Sequence, residues 1–148
     1  MYSVDAVIVG GGPCGLSAAI ELQRIGLSVI VIEKGNIVHS IYNYPTHQTF
    51  FSSSSKLSIG DIPFITAIDK PKRNDALVYY RTVAQLKNLR INSHERVENV
   101  QKQGNGFIVQ TDKATYEASY VVVATGYYDQ PNSLNVKGEE LPNVYHYF

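Results

Sequence analysis

The chain has little of what several specialised protein classes require. Its 148 residues include one cysteine, Cys14, one methionine and no tryptophan. A single cysteine excludes an internal disulfide framework and is typical of proteins that work in a reducing compartment. We therefore predict a cytoplasmic location.

The chain also has no formal net charge at pH 7. Thirteen basic residues balance thirteen acidic ones, which predicts neither a nucleic-acid partner nor an anionic membrane surface as a partner. The longest apolar run near the start, residues 6–9, is far too short to span a bilayer, and no basic stretch precedes it as in a signal peptide. Apolar residues nevertheless make up 44% of the chain and charged residues 18%. This composition is that of a globular domain.

The first part of the chain has the pattern of a βαβ unit. Residues 5–9 and 28–32 are short β-branched runs typical of buried parallel strands. Residues 16–25 between them favour a helix, and Gly26 can adopt the left-handed conformation that ends one.

A long irregular segment follows at residues 35–72, where prolines and a polar run interrupt the pattern. Its five aromatic residues favour an ordered connection. We then predict a helix from the N-cap Asn74 to about Lys87, with Leu77, Tyr80 and Ala84 facing the core. A third parallel strand is predicted at residues 89–92.

The last part of the chain alternates short apolar runs with turn residues. A small antiparallel meander is predicted at residues 97–100, 107–111 and 115–119, a separate buried strand at 120–124, and a connector to the end. The expected fold is α/β and Rossmann-like, with three layers and a central parallel sheet.

The strongest local motif is Gly10-Gly-Gly-Pro-Cys-Gly15, which has the G-x-G-x-x-G spacing of dinucleotide-binding domains. It follows a predicted strand and opens a predicted helix, as that fingerprint requires. Gly10 would permit the tight turn, Gly12 the approach of the backbone to a pyrophosphate, and Gly15 close packing of helix on strand. The helix N-terminus would then face the phosphates.

Glu33 lies at the end of the second predicted strand and can accept hydrogen bonds from both ribose hydroxyls of an adenosine. Its charge would repel a 2′-phosphate, so FAD or NAD is favoured over NADP at this site. The alternative is a glycine-rich turn with an acidic residue at a strand end.

Two features favour FAD over NAD. The meander is unlike a simple nicotinamide domain, which would continue with βα units. In addition, Ala124-Thr125-Gly126 resembles the second flavin-contacting motif of disulfide reductases with two dinucleotide domains. A simple strand-to-loop turn is the alternative.

Cys14 lies in the first turn of the predicted helix, where amide dipoles favour a thiolate. One interpretation is a redox-active thiol, and the other is a small apolar residue that fills space. The residues alone favour the second interpretation. Residues 42–52 mix aromatic rings with polar groups and could contact a flavin ring or pin a loop. The four histidines lack spaced partners, so no metal site is predicted.

Longer blocks of sequence resemble the bacillithiol disulfide reductase (YpdA-type) family of thioredoxin-reductase-like FAD/NAD(P)-dependent oxidoreductases. The blocks are residues 10–21, 32–54, 56–65, 124–132 and 141–148. The resemblance implies an NADPH-dependent enzyme that holds FAD and reduces bacillithiol disulfide, with Cys14 as its catalytic thiol. It also places Lys34, His47 and Gln48 near FAD. The expected cofactor-binding residues are Gly10, Gly12, Pro13, Cys14, Gly15, Glu33, Lys34, His47, Gln48, Val97, Ala124, Thr125 and Gly126.

Such enzymes carry a second dinucleotide domain for NADPH and then return to the FAD domain. We therefore expect residues 1–148 to be the N-terminal part of an FAD-binding domain, truncated before the NADPH domain and inactive alone. A sheet left partly uncovered would allow a homo-oligomer to form. Two alternatives stay open: the FAD-binding portion of a flavoprotein monooxygenase, and an isolated piece without turnover.

Overall fold

A computed structural model describes residues 1–129 and 132–145, and six strands in this part form one sheet. The sheet order is β3-β2-β1-β6-β5-β4; β3, β2, β1 and β6 are parallel, and β5 and β4 are antiparallel to their neighbours. The predicted α/β fold is confirmed. The elements in chain order are β1 (Tyr2–Val9), α1 (Pro13–Arg24), β2 (Val29–Glu33), α2 (His39–Tyr42), a 3₁₀ helix (Ser54–Leu57), α3 (Arg73–Leu86), β3 (Ile91–Ser93), β4 (Val97–Gln103), β5 (Gly106–Thr111) and β6 (Thr115–Val123).

The parallel strands have helices on one face and the meander on the other. Ile8 of β1 packs with Ala19 of α1, whereas the adjacent Val7 packs with Val109 and Tyr116 of the meander. Neighbouring side chains on a strand point to opposite faces, so the meander covers the face away from α1. This arrangement gives the three predicted layers.

Helix α1 begins at Pro13, three residues before the predicted start. Proline suits the first helical position because its missing N–H would have no partner there. The preceding residue, Gly12, is an extended N-cap without a side-chain hydrogen bond. Gly26 has φ +89°, as its predicted role after the helix requires.

Helix α3 has Lys72 as its N-cap, so the prediction of Asn74 was wrong. The Asp75 carboxylate accepts a hydrogen bond from the Lys72 N–H at 2.8 Å. An acidic third residue therefore supports the start without help from Asn74. Leu77, Tyr80 and Ala84 are buried, as the helical spacing predicted.

Strand β6 joins what were predicted as two elements, residues 115–119 and 120–124. No turn separates them, because β6 pairs with β1 from Tyr116 to Val123 while its first residues also pair with β5. The predicted burial of the second part was also wrong. Tyr120 and Val123 are 59% and 71% exposed. Their side chains point to opposite faces of the strand, and the described residues cover neither position.

Residues 35–72 are mostly irregular, as predicted, but α2 and the 3₁₀ helix within them were not predicted. Helix α3 anchors this segment through two tyrosines. The Tyr79 hydroxyl accepts from the Ile59 N–H at 2.8 Å and donates to the Ile62 carbonyl at 2.6 Å. The Tyr80 hydroxyl donates to the Leu57 carbonyl at 3.0 Å.

The predicted connector forms no helix or strand in residues 127–129 and 132–145. Residues 130, 131 and 146–148 lie outside the described part, and the predictions that fall on them, including His146, stay untested there. No helix in the described ranges is long and apolar enough to cross a membrane.

Candidate functional site

A cavity of about 700 Å³ opens where the parallel strands end. Its wall includes residues that directly follow β1, β2, β3 and β6, which is where open α/β sheets bind ligands. Ten of the predicted cofactor-binding residues line it: Gly10, Gly12, Pro13, Cys14, Glu33, Lys34, Val97, Ala124, Thr125 and Gly126.

Two glycines allow backbones to approach each other under this cavity. Gly10 has φ +111°, and a side chain there would collide with the Ala124 carbonyl. A side chain at Gly15 would collide with the Gly10 carbonyl. Gly15 therefore lies beneath the cavity wall, where it allows the predicted close packing of helix on strand.

Gly12 differs, because a methyl group there would meet no protein atom within 4 Å. No contact within the protein therefore restricts this position to glycine. A side chain at Gly12 would instead occupy the open space above the turn, which a ligand could fill. The first N–H groups of a helix have no intrahelical partner, and no side chain caps α1. Open space above unpaired amides is the environment that a diphosphate needs.

Glu33 is 6% exposed and its carboxylate lines the cavity. Its two oxygens accept hydrogen bonds from the Gly11 N–H at 2.6 Å and the Gly35 N–H at 2.7 Å. Each oxygen keeps a further lone pair for a ligand hydroxyl. Gly11 was not predicted as a site residue from the sequence. A Cβ at Gly11 would lie only 3.0 Å from the Cβ of Glu33.

Lys34 and Asp129 form an ion pair at the cavity wall, joining the end of β2 to the segment after β6. Among the described residues, the second Asp129 oxygen, Oδ1, is buried without a hydrogen-bond partner. The Ala124 N–H donates to the Val9 carbonyl at 2.8 Å, which holds the predicted Ala124-Thr125-Gly126 motif beside the glycine turn.

Cys14 lines the cavity and is exposed. An exposed thiol fills no space in the interior, so the packing interpretation loses its main support. The Tyr80 hydroxyl lies close enough to the Cys14 thiol for the two groups to interact electrostatically. Burial raises the pKa of Tyr80, and Tyr79 and Cys14 raise it further.

An aromatic wall completes the cavity. Tyr44 packs against Phe50, with 5.9 Å between ring centroids, and edge-on against Tyr128, at 4.7 Å. Burial, followed by the neighbouring tyrosines 127 and 128, raises the pKa of Tyr44. From residues 42–52, only Tyr44 and Phe50 line the cavity, while Phe51 is 91% exposed and lies away from it.

The structure does not bring His47 and Gln48 to the cavity wall. Their turn is held elsewhere, because the Gln48 N–H donates to the Pro45 carbonyl and the Gln48 carbonyl accepts from the Arg73 N–H. Contact of either residue with a cofactor stays a prediction. No group of three or more His, Cys, Asp or Glu in residues 1–129 and 132–145 is arranged to hold a metal ion.

Sequence reasoning missed Glu95, which is buried and lines the cavity. A signal for it existed, since Glu95 follows β3 closely and the carboxyl ends of parallel strands meet at one edge. Other wall residues had no such signal; they come from the irregular segment and from the chain after β6: Val38, His39, Ser40, Ile41, Leu57 and Tyr127.

The open space above Gly12, the unpaired helix amides, the Glu33 carboxylate and the aromatic wall together fit a dinucleotide that carries a flat ring. The helix end suits the phosphates, the carboxylate suits a ribose, and the aromatic side chains suit the ring.

Known proteins resemble this chain in sequence and in structure. The family model described as "Pyridine nucleotide-disulphide oxidoreductase" matches residues 7–148. The chain is 60% identical to bacilliredoxin reductase Bdr of Bacillus subtilis (strain 168), over 100% of this chain and 46% of that protein. The chain thus spans less than half the length of this relative.

Solved structures are also similar. Bacillithiol disulfide reductase Bdr (YpdA) from Staphylococcus aureus has a TM-score of 0.96 and 58% identity, covering 100% of this chain and 46% of that one. A flavin-containing monooxygenase from Stenotrophomonas maltophilia has a TM-score of 0.82 and 28% identity, covering 90% and 41%.

Proposed function

Because the chain belongs to the pyridine nucleotide-disulphide oxidoreductase family, we propose that it is the FAD-binding portion of an NADPH-dependent flavoprotein disulfide reductase. The proposed substrate is a low-molecular-weight thiol disulfide, bacillithiol disulfide, which the names of two similar solved structures support. We propose that it works in the cytoplasm, where a thiol pool must be kept reduced. Self-association through the exposed residues of β6 is part of the same proposal.

The observation that carries this proposal is the open glycine turn beside a buried carboxylate. The amides at the start of α1, including those of Cys14 and Gly15, would bind the diphosphate. Glu33 would accept hydrogen bonds from the ribose, already oriented by the Gly11 and Gly35 amides. The aromatic wall around Tyr44 would exclude water from the flavin end of the cavity. Bound FAD would supply the transfer of two electrons from NADPH to the substrate disulfide.

Cys14 is the proposed catalytic residue. As a thiolate it would attack one sulfur of the substrate disulfide, forming a mixed disulfide and releasing the other half as a thiolate. Two-electron reduction of that mixed disulfide, with uptake of a proton, would restore the Cys14 thiol and free the second half as a thiolate; FAD and NADPH would supply this reducing chemistry. The exposed position of Cys14 in the cavity gives a substrate access to its sulfur.

The visible spectrum of the purified chain tests the cofactor. We expect flavin absorbance to co-elute with the protein in gel filtration after FAD is added. A chain that is folded by circular dichroism but elutes without flavin, even at high FAD concentration, contradicts the proposal.

Alkylation tests the position of Cys14, which is the only thiol in the chain. Adding FAD should slow its reaction with iodoacetamide, since both occupy one cavity. In the intact enzyme, Cys14→Ala should abolish disulfide reduction while FAD stays bound. Undiminished disulfide reduction by that variant would remove the catalytic role.

The structural likeness to a flavin-containing monooxygenase favours one second candidate, the FAD-binding portion of such an enzyme. The intact protein separates the two. Rapid NADPH oxidation that requires a disulfide supports the reductase, whereas oxygen consumption coupled to hydroxylation of a substrate supports the monooxygenase.

A further inference from the structure

Glu95 is a buried carboxylate that lies two residues after the end of β3 and is 4% exposed. Its Oε1 accepts hydrogen bonds from the Tyr116 hydroxyl at 2.8 Å and the Thr111 hydroxyl at 2.7 Å. Its Oε2 accepts from the Asn92 amide at 2.9 Å. Within the described ranges, no cation forms an ion pair with it. Three neutral donors from β3, β5 and β6 therefore hold this side chain.

A buried carboxylate is tolerated only where hydrogen bonds replace the lost water. This network provides them, and the Asn92 amide also donates to the Tyr116 hydroxyl at 2.8 Å. Burial, together with the hydrogen bond to Glu95, raises the pKa of Tyr116 to about 12. The Tyr116 hydroxyl thus keeps its proton at neutral pH and stays a donor, so the network fixes Glu95 relative to the meander.

The backbone around Glu95 connects this network to the cavity. The Glu95 N–H donates to the Glu33 carbonyl at 2.9 Å, and the Arg96 N–H donates to the Asp112 carboxylate at 2.9 Å. Glu95, Arg96 and Val97 all line the cavity. The segment at residues 95–97, which leads into β4, therefore lies between the meander and Glu33, the residue proposed to bind the ribose.

We propose that Glu95 is a positioning residue whose carboxylate holds the segment at residues 95–97 as the wall against which the adenosine half of the dinucleotide rests. This inference rests on the proposed function, since it requires a nucleotide in the cavity. Glu95 acts through the backbone of residues 95–97, because its carboxylate already accepts hydrogen bonds from Asn92, Thr111 and Tyr116.

Titration of the purified chain with ADP and with FAD tests the proposal, because ADP carries only the adenosine and diphosphate. Glu95→Gln keeps the size of the side chain but turns an amide N–H₂ toward a donor. We expect it to raise the Kd of both ligands by the same factor, about tenfold, since the affected wall touches only the adenosine end. Val109→Ala is the matched control, because Val109 packs in the same cluster as Tyr116 but contributes no side-chain hydrogen bond to the network. It should lower Tm and leave both Kd values unchanged at a temperature where the chain is folded.

Three results overturn the inference alone: unchanged Kd values in Glu95→Gln, a weaker Kd for FAD but not for ADP, or an equal loss in Val109→Ala. If Glu95→Gln does not fold, Tyr116→Phe removes one donor and should raise both Kd values about threefold; no change there overturns the inference as well. If the unaltered chain binds neither ligand, the proposed function fails and the inference with it.

Discussion

The βαβ unit and the segment at residues 35–72 both contribute walls to one cavity, yet different contacts hold them. In the βαβ unit, backbone lies against backbone: a side chain at Gly15 would collide with the Gly10 carbonyl. In the segment, side chains from a distant helix hold the backbone, mainly the hydroxyls of Tyr79 and Tyr80. The difference separates two ways of building a binding site, one specified locally and one specified from a distance.

This comparison suggests which positions tolerate change. Where backbones touch, any added atom is a collision, and the local motif has no substitute. Where a hydroxyl holds a loop, its loss removes individual hydrogen bonds and leaves the rest of the fold in place. Substitutions in the two regions should therefore differ in size and in how far their effects spread.

The largest effect is expected for Gly15→Ala, because its methyl group would collide with the Gly10 carbonyl. We expect the free energy of unfolding to fall by about 3 kcal/mol, measured by denaturant unfolding. Gly12→Ala is the control, since its methyl group enters open space. It should change stability by less than about 1 kcal/mol yet weaken FAD binding. An equal loss of stability in both variants would contradict the view that only Gly15 is packed against another backbone.

An intermediate effect is expected for Tyr79→Phe. It leaves the Ile59 N–H and the Ile62 carbonyl without their partner, so unfolding should become easier by about 2 kcal/mol. Limited proteolysis should show faster cleavage within residues 50–70, while the βαβ unit stays protected. The half-exposed Tyr120 provides the control, and Tyr120→Phe should stay within about 0.5 kcal/mol of the unaltered chain. Cleavage spread over the whole chain would argue against a local anchor.

The smallest effect is expected for Ser28→Ala, which removes a side-chain hydrogen bond inside the βαβ unit. The Ser28 hydroxyl donates to the Asp5 carboxylate at 2.6 Å, and this bond, with the Ser28 N–H, lowers the pKa of Asp5. A lowered folded-state pKa stabilises the fold above the ordinary value, and that contribution is lost as the pH falls through the folded-state pKa.

The unaltered chain should therefore be slightly more stable than Ser28→Ala near neutral pH, and the difference should narrow below about pH 4. An NMR titration should show a higher pKa for Asp5 in the variant. A difference that widens on acidification would mean that the carboxylate is not the group involved.

The same contrast explains what the sequence could predict. Gly10, Gly12, Gly15 and Glu33 were predictable because backbone conformation and close approach restrict those positions to a few residue types. Those four residues all lie in or beneath the cavity wall that the structure forms.

Features that depend on distant contacts were not predictable. Val38 has φ +54°, a conformation unfavourable for a β-branched residue, yet its N–H donates to the Gly11 carbonyl at 3.0 Å. The Glu95 network likewise joins residues up to 24 positions apart. No local pattern records such pairings, so α2 and the hydrogen bonds that hold Glu95 appear only in three dimensions.

Strand β6 has a consequence for engineering this molecule. One uninterrupted run of chain carries Tyr116 at one end and leads into Ala124 at the other, and it is paired with β1 throughout. Inserting a single residue inside it would turn every later side chain to the opposite face. The glycine turn and the Glu95 network would then be displaced relative to each other. Changes of length, such as tags or loop grafts, belong instead in the exposed turn at residues 104–105.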